Sequence, residues 1–130
     1  MEMSEQQVLE KHFPFKWYGK DGKATETEGI VMRELDTAEL NSISRNCMIR
    51  ERGQMPYRDD GKYGLMLAAS MMVSAPFESA GKIIWKEMDM KQKIDCLASL
   101  TPRHAVQINR MLEDMVPNLS EDDANLSKTQ

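Results

Sequence analysis

Gly29-Ile30-Val31-Met32-Arg33-Glu34-Leu35-Asp36-Thr37-Ala38-Glu39-Leu40 is the stretch in which this chain changes period. Thr25 to Arg33 reads as an extended strand, and from Leu35 onward the apolar spacing turns helical. Asp36 followed by Glu39 forms a capping-box signature, in which each residue satisfies an orphan amide at the other's end of the turn. Leu40, Ile43 and Cys47 then share one face of a helix expected to run to about Arg50.

Upstream, Phe13, Phe15 and Trp17 occupy alternate positions, which is the period of a strand. Gly19-Lys20-Asp21-Gly22-Lys23 is a turn, so residues 13–33 are expected to form a β hairpin. A two-residue Asp21-Gly22 loop would set Trp17 opposite Glu26 and Phe15 opposite Glu28. A three-residue loop pairs Trp17 with Thr27, Phe15 with Gly29 and Phe13 with Val31. The second register keeps one face apolar and is preferred. Before the hairpin, Ser4 with Gln7 suggests a short helix within Met1 to His12.

Downstream, Gly53 to Gly61 is a loop, and Tyr63 to Val73 is an uncharged helix. Pro76 starts another helix with Phe77, Ala80, Ile84 and Met88 on its face, weakened by Gly81. Asp89 with Gln92 caps the next, whose face is Met90, Ile94, Leu97 and Ala98. Thr101-Pro102 opens a last helix with Ala105, Ile108, Leu112 and Met115 in a stripe, closed by Pro117. The expected fold is therefore mainly α: a small N-terminal β hairpin on a bundle of four to five short helices. Residues 1–117 form one domain in this reading, and the acidic, polar residues 118–130 are expected to be disordered.

With 130 residues, 41 % hydrophobic and 29 % charged, the chain is long enough for one core. A mean hydropathy of −0.56 and the lack of a long apolar run exclude a spanning helix. The polar, acidic start lacks the features of a secretory signal, so a cytoplasmic location is expected. Seventeen basic residues against 21 acidic ones leave a net charge of −4, which gives no overall basic footprint for nucleic acid. Arg45, Arg50, Arg52 and Arg58 are interrupted by Glu51 and followed by Asp59-Asp60, and read as a solvated helix end and loop. Cys47 and Cys96 read as small buried hydrophobes in a reducing compartment.

No residue pattern for phosphate, zinc or calcium binding is present. Met88-Asp89-Met90 and Met71-Met72 are soft-ligand pairs, but no His or Cys stands beside them to complete a copper site. Cys96, His104 and Asp95 are the residues a nucleophilic site would use. Asp95 and Cys96 diverge on a helix, and His104 falls in the first turn of the next, where the helix dipole disfavours its protonated form. No catalytic, metal-binding or cofactor-binding residue is expected.

Twelve methionines against three phenylalanines is the unusual count. Flexible thioethers suit a core, and they equally suit a surface that adapts to unequal partners. Because Tyr63 to Val73 is apolar nearly all round, Met66, Met71 and Met72, with Phe77 and Trp85 as larger anchors, are the candidate client-binding or self-association residues.

The order of elements resembles a known family. The stretch Gly29 to Leu40, the apolar Leu67 to Val73 followed by Val73-Ser74-Ala75-Pro76-Phe77, and the later helices with Trp85 and with Ile94 to Met115 look like tail assembly chaperones. These are encoded by long-tailed bacteriophages, prophages and phage-tail-like particles, and the likeness covers roughly residues 25–115. It implies a small, mostly helical, non-catalytic protein that binds the tape-measure protein, and often the tail-tube subunit, during assembly and is absent from the finished particle. The C-terminal segment departs from the pattern in lacking a lysine-rich close. The competing reading from another class is a regulatory adaptor acting on nucleic acid through a helix-turn-helix around Thr101-Pro102, against which stand the acidic balance and the sparse basic residues Arg103 and Arg110. A small enzyme subunit without its own active site is the third.

Overall fold

The computed structural model describes residues 8–116; the segment 118–130 and the first part of the helix expected within Met1 to His12 lie outside them, and the described end of that stretch, Glu10 to His12, is strand instead of helix. Strands β1 (Glu10–Phe13), β2 (Lys16–Tyr18), β3 (Ala24–Glu26) and β4 (Ile30–Arg33) precede helix α1 (Thr37–Asn46). Then come β5 (Met48–Ile49), β6 (Tyr57–Arg58), α2 (Asp60–Met71) and β7 (Met72–Ser74). A 3-10 turn at Trp85–Glu87 leads into α3 (Met90–Ala98) and α4 (Pro102–Met115).

The expectation of a helical bundle with one N-terminal hairpin is corrected by this arrangement. About 44 % of the described residues are helical and 21 % lie in strands or bridges, which makes the fold α+β. β1, β4 and β7 form a three-stranded antiparallel sheet with β4 in the middle, and two small ribbons, β2–β3 and β5–β6, stand apart from it. Strand β7 is drawn from the end of the stretch that reads as one long helix, so Met72 and Val73 are extended. Met32 pairs with Met72 across the sheet.

The hairpin register also differs from both expected forms. Trp17 pairs with Thr25 and Lys16 with Glu26, closing a five-residue loop in which Gly19 N–H donates to the Lys23 carbonyl. Further out, Phe13 pairs with Ile30, so two residues on one strand face three on the other. Pro14, which has no N–H to offer a ladder, sits on the short side. The extra residue on the long side is absorbed at Thr27–Gly29, as in a β-bulge. There Thr27 Oγ1 donates to the Phe15 carbonyl at 2.7 Å and receives Gly29 N–H at 3.1 Å. Gly29 adopts φ +84°, a conformation open to glycine.

Beyond the bulge the inward face is the opposite of the one the preferred register implies: Ile30 and Met32 are fully buried, while Val31, expected opposite Phe13 on the apolar face, and Arg33 are half-buried. The junction with α1 is fastened by Glu39. Its carboxylate accepts from both Arg33 Nη atoms and from Asp36 N–H, while Asp36 accepts Glu39 N–H at 2.7 Å. The Arg33 hydrogen bonds hold the Glu39 carboxyl below its ordinary range.

No α-helix forms between Pro76 and Met88, contrary to expectation. The chain makes a tight reversal instead: Ser79 N–H donates to the Ile83 carbonyl, Lys82 N–H to the Ser79 carbonyl, and Glu78 bridges Ile84. Gly81 and Lys82, the latter at φ +61°, supply the turn. Trp85 is then fixed by its own indole N–H, which donates to the Met72 carbonyl at 2.9 Å. Capping boxes at Asp36 and Asp89 and the proline start of α4 are as expected. Asp59, in the segment expected as loop, caps α2 by accepting Lys62 N–H. The buried residues form one cluster, to which β4, β7 and all four helices contribute.

Candidate functional site

A concavity of about 1160 Å³ opens where β2 leaves the start of α4. Trp17 and Tyr18 form one wall, the first turn of α4 another, and Phe77 with Leu100 line it from the remaining sides. Trp17 shares a face with the buried Phe15 but lies further out along β2, at the edge of the core, where its ring is 42 % exposed.

His104 is the organising residue. It is 4 % exposed, and its ring stacks on Trp17 with centroids 4.0 Å apart and planes 11° from parallel. Tyr18 N–H donates to Nε2 at 2.9 Å, which assigns the ring proton to Nδ1, 3.1 Å from Thr101 Oγ1. Three residues along α4, Gln107 accepts Lys16 N–H at 2.9 Å and returns a bond to the Lys16 carbonyl at 2.8 Å. Lys16 and Tyr18 point their backbone groups away from β3, so α4 supplies through side chains the bonds a third strand would make.

Burial, and then the neighbouring Arg103, push the His104 pKa below its ordinary value. The unfolded chain therefore binds the proton more readily than the folded one. Stability from this group is complete above the unfolded value of about 6.5 and is lost as pH falls through the folded value. Two results are expected of His104→Phe. Stability at pH 7 should drop by about 1–3 kcal/mol, because Tyr18 N–H loses its acceptor. The decline in melting temperature on acidification from pH 7 toward 5 should also become shallower than in wild type. An unchanged slope would contradict the neutral ring.

The Cys96–His104–Asp95 trio is not set for nucleophilic catalysis. Both ring nitrogens of His104 are engaged, and burial raises the Cys96 thiol above its ordinary pKa, keeping it protonated. Cys47 is raised for the same reason, and its thiol lies 3.5 Å from the Met66 sulfur. Among the described residues no group of three His, Cys, Asp or Glu side chains could hold a metal ion.

Of the expected client-binding residues, Met71, Met72, Phe77 and Trp85 are 1 %, 2 %, 4 % and 1 % exposed. They belong to the core, and Phe77 alone also lines the groove. Met66 is half-buried against the core. The exposed large apolar residues among those described are others: Val8, Leu9, Trp17, Met55, Tyr57, Ile84, Met90 and Val106. Trp17 was legible as a strand residue but not as a groove wall, since its partner His104 is far away in sequence. Of the arginine group, Arg50 and Arg52 are exposed, and Arg58 pairs with Asp60 at 2.8 Å while lying over the Tyr63 ring.

Comparison with protein-family models, with curated proteins and with solved structures returns no match. No helix among the described residues is long and apolar enough to cross a membrane.

Proposed function

We propose that this protein is a non-catalytic binding protein of the tail assembly chaperone type, which its sequence resembles, with the phage tape-measure protein as client. The observation that carries the reading is the groove beside α4. It is walled by the aromatic rings of Trp17, Tyr18 and Phe77, and the one imidazole among its lining residues, His104, has both ring nitrogens engaged in structural bonds. Such a surface suits a large apolar side chain from a partner rather than a reaction. A tape measure is long, helical and apolar before the tube forms round it, so a cover that takes apolar side chains is what its assembly requires. The tail-tube subunit is the second candidate partner.

The nucleic-acid alternative gains little. The solvent side of α4 carries Arg103 and Arg110 but also Glu113 and Asp114, the latter ion-paired to Lys11. Co-expression with a tape-measure fragment is the test. The fragment should stay soluble and co-purify with this chain at a fixed stoichiometry. Insoluble fragment, together with salt-dependent binding of this chain to duplex DNA, would overturn the proposal in favour of the adaptor.

A further inference from the structure

We infer that the groove selects a client segment in which a large apolar side chain is flanked by carboxylates; the inference rests on the binding-protein reading above. The aromatic wall is pre-organised. Trp17 is clamped on His104, and Phe77 meets Phe15 edge-on with centroids 5.3 Å apart. A partner side chain entering here finds a rigid surface and loses little to ordering of the groove.

The rim supplies the charge preference. Lys20, in the β2–β3 turn, and Arg103, in the first turn of α4, both line the groove. Neither is ion-paired to a carboxylate among the described residues, and nor is Lys23 on the same turn. The three ion pairs of the described residues lie elsewhere, at Lys11–Asp114, Arg33–Glu39 and Arg58–Asp60. The Arg103 guanidinium, itself part of the groove lining, lies 5.9 Å from the centre of the Tyr18 ring and beside Gly22 of the turn. Against these cations stand Glu78, which also lines the groove, and Asp21, whose carboxylate accepts Lys23 N–H within its own turn. On a chain of net charge −4, this is a locally cationic rim on an aromatic floor. Its complement is an apolar anchor with acidic neighbours.

Trp17 reports on occupancy directly, because the other tryptophan, Trp85, is buried and contributes a constant background. Two synthetic peptides without tryptophan would be titrated into the full-length protein. They share a Leu/Phe centre, and one is flanked by Asp and Glu, the other by Lys. The acidic peptide should shift the Trp17 emission and bind about tenfold more tightly than the basic one. Lys20→Glu with Arg103→Glu should abolish or reverse that preference. Lys20→Gln alone, a neutral change on an exposed turn, should reduce it without altering the melt. Equal binding of the two peptides, no emission change with either, or a preference that survives the double substitution would overturn the inference. The tape-measure capture is scored separately. A fragment still captured when the peptides show no preference fails this inference and leaves the binding reading standing; a charge preference without capture fails the client's identity and supports the groove.

Discussion

Met71→Glu is expected to abolish the cooperative thermal transition, followed by far-UV circular dichroism. Met71 closes α2 at 1 % exposure, inside the cluster formed by β4, β7 and the helices. A carboxylate there has no cation to pair with in that apolar cluster, and an uncompensated buried charge costs several kcal/mol. The whole stability of a domain this size is about 5–15 kcal/mol, so one such substitution removes most or all of it. Met66→Glu should behave differently. That residue is half-buried, with its sulfur beside Cys47, so the new carboxylate can reach water and the loss should be about 1–3 kcal/mol. The pair separates folding from binding at α2. A wild-type melt for Met71→Glu would show that α2 does not pack as described.

Gly29→Ala should be the most damaging single change outside the core. At φ +84° an L-residue is strained by about 1–2 kcal/mol. The added Cβ would also overlap the Phe13 carbonyl oxygen and come within 2.9 Å of His12 Nε2, the atom that donates to the Glu28 carbonyl. Backbone cannot give way there without parting Phe13 from Ile30. The expected loss is on the order of 3 kcal/mol or more, seen as a lower urea midpoint. Gly53→Ala provides the comparison. It has nearly the same φ, +80°, but open space around the missing Cβ, so only the conformational penalty of about 1–2 kcal/mol should appear. Equal losses at the two positions would remove the clash from the explanation.

Local signals in the sequence were read correctly where the physics is local. The capping boxes at Asp36–Glu39 and Asp89–Gln92 satisfy amides within one turn, and the α4 stripe of Ala105, Ile108, Leu112 and Met115 buries as its period requires. What escaped depends on distant partners. β1 is polar and mostly exposed, and before Phe13 nothing in it favours a strand except the neighbouring edge of β4. β7 continues an apolar run whose helical spacing does not break, and only pairing with β4 makes it extended. The helical spacing of Phe77, Ala80, Ile84 and Met88 was real as a pattern. The turn at Gly81-Lys82 and the tether from Trp85 to the Met72 carbonyl outweigh it. Four of the five candidate contact residues, Met71, Met72, Phe77 and Trp85, are buried in the core for a related reason. A helix apolar on all sides can be covered by a partner or by its own domain, and here the three-stranded sheet and the later helices do the covering. The groove has no local signature, because Trp17 and His104 meet only once the chain has folded back on itself.

The side chains of His104 and Gln107 have a consequence for how this molecule behaves in a crowded cell. A short ribbon with a bare flank is a template on which other chains can stack. Here the flank of β2 is already spoken for by an imidazole and a primary amide, two groups that imitate a peptide neighbour without being one. Because neither belongs to a strand, neither can pass the pattern on to a further copy. The imitation ends the ladder, and fibrillar growth from that flank would first have to prise α4 away.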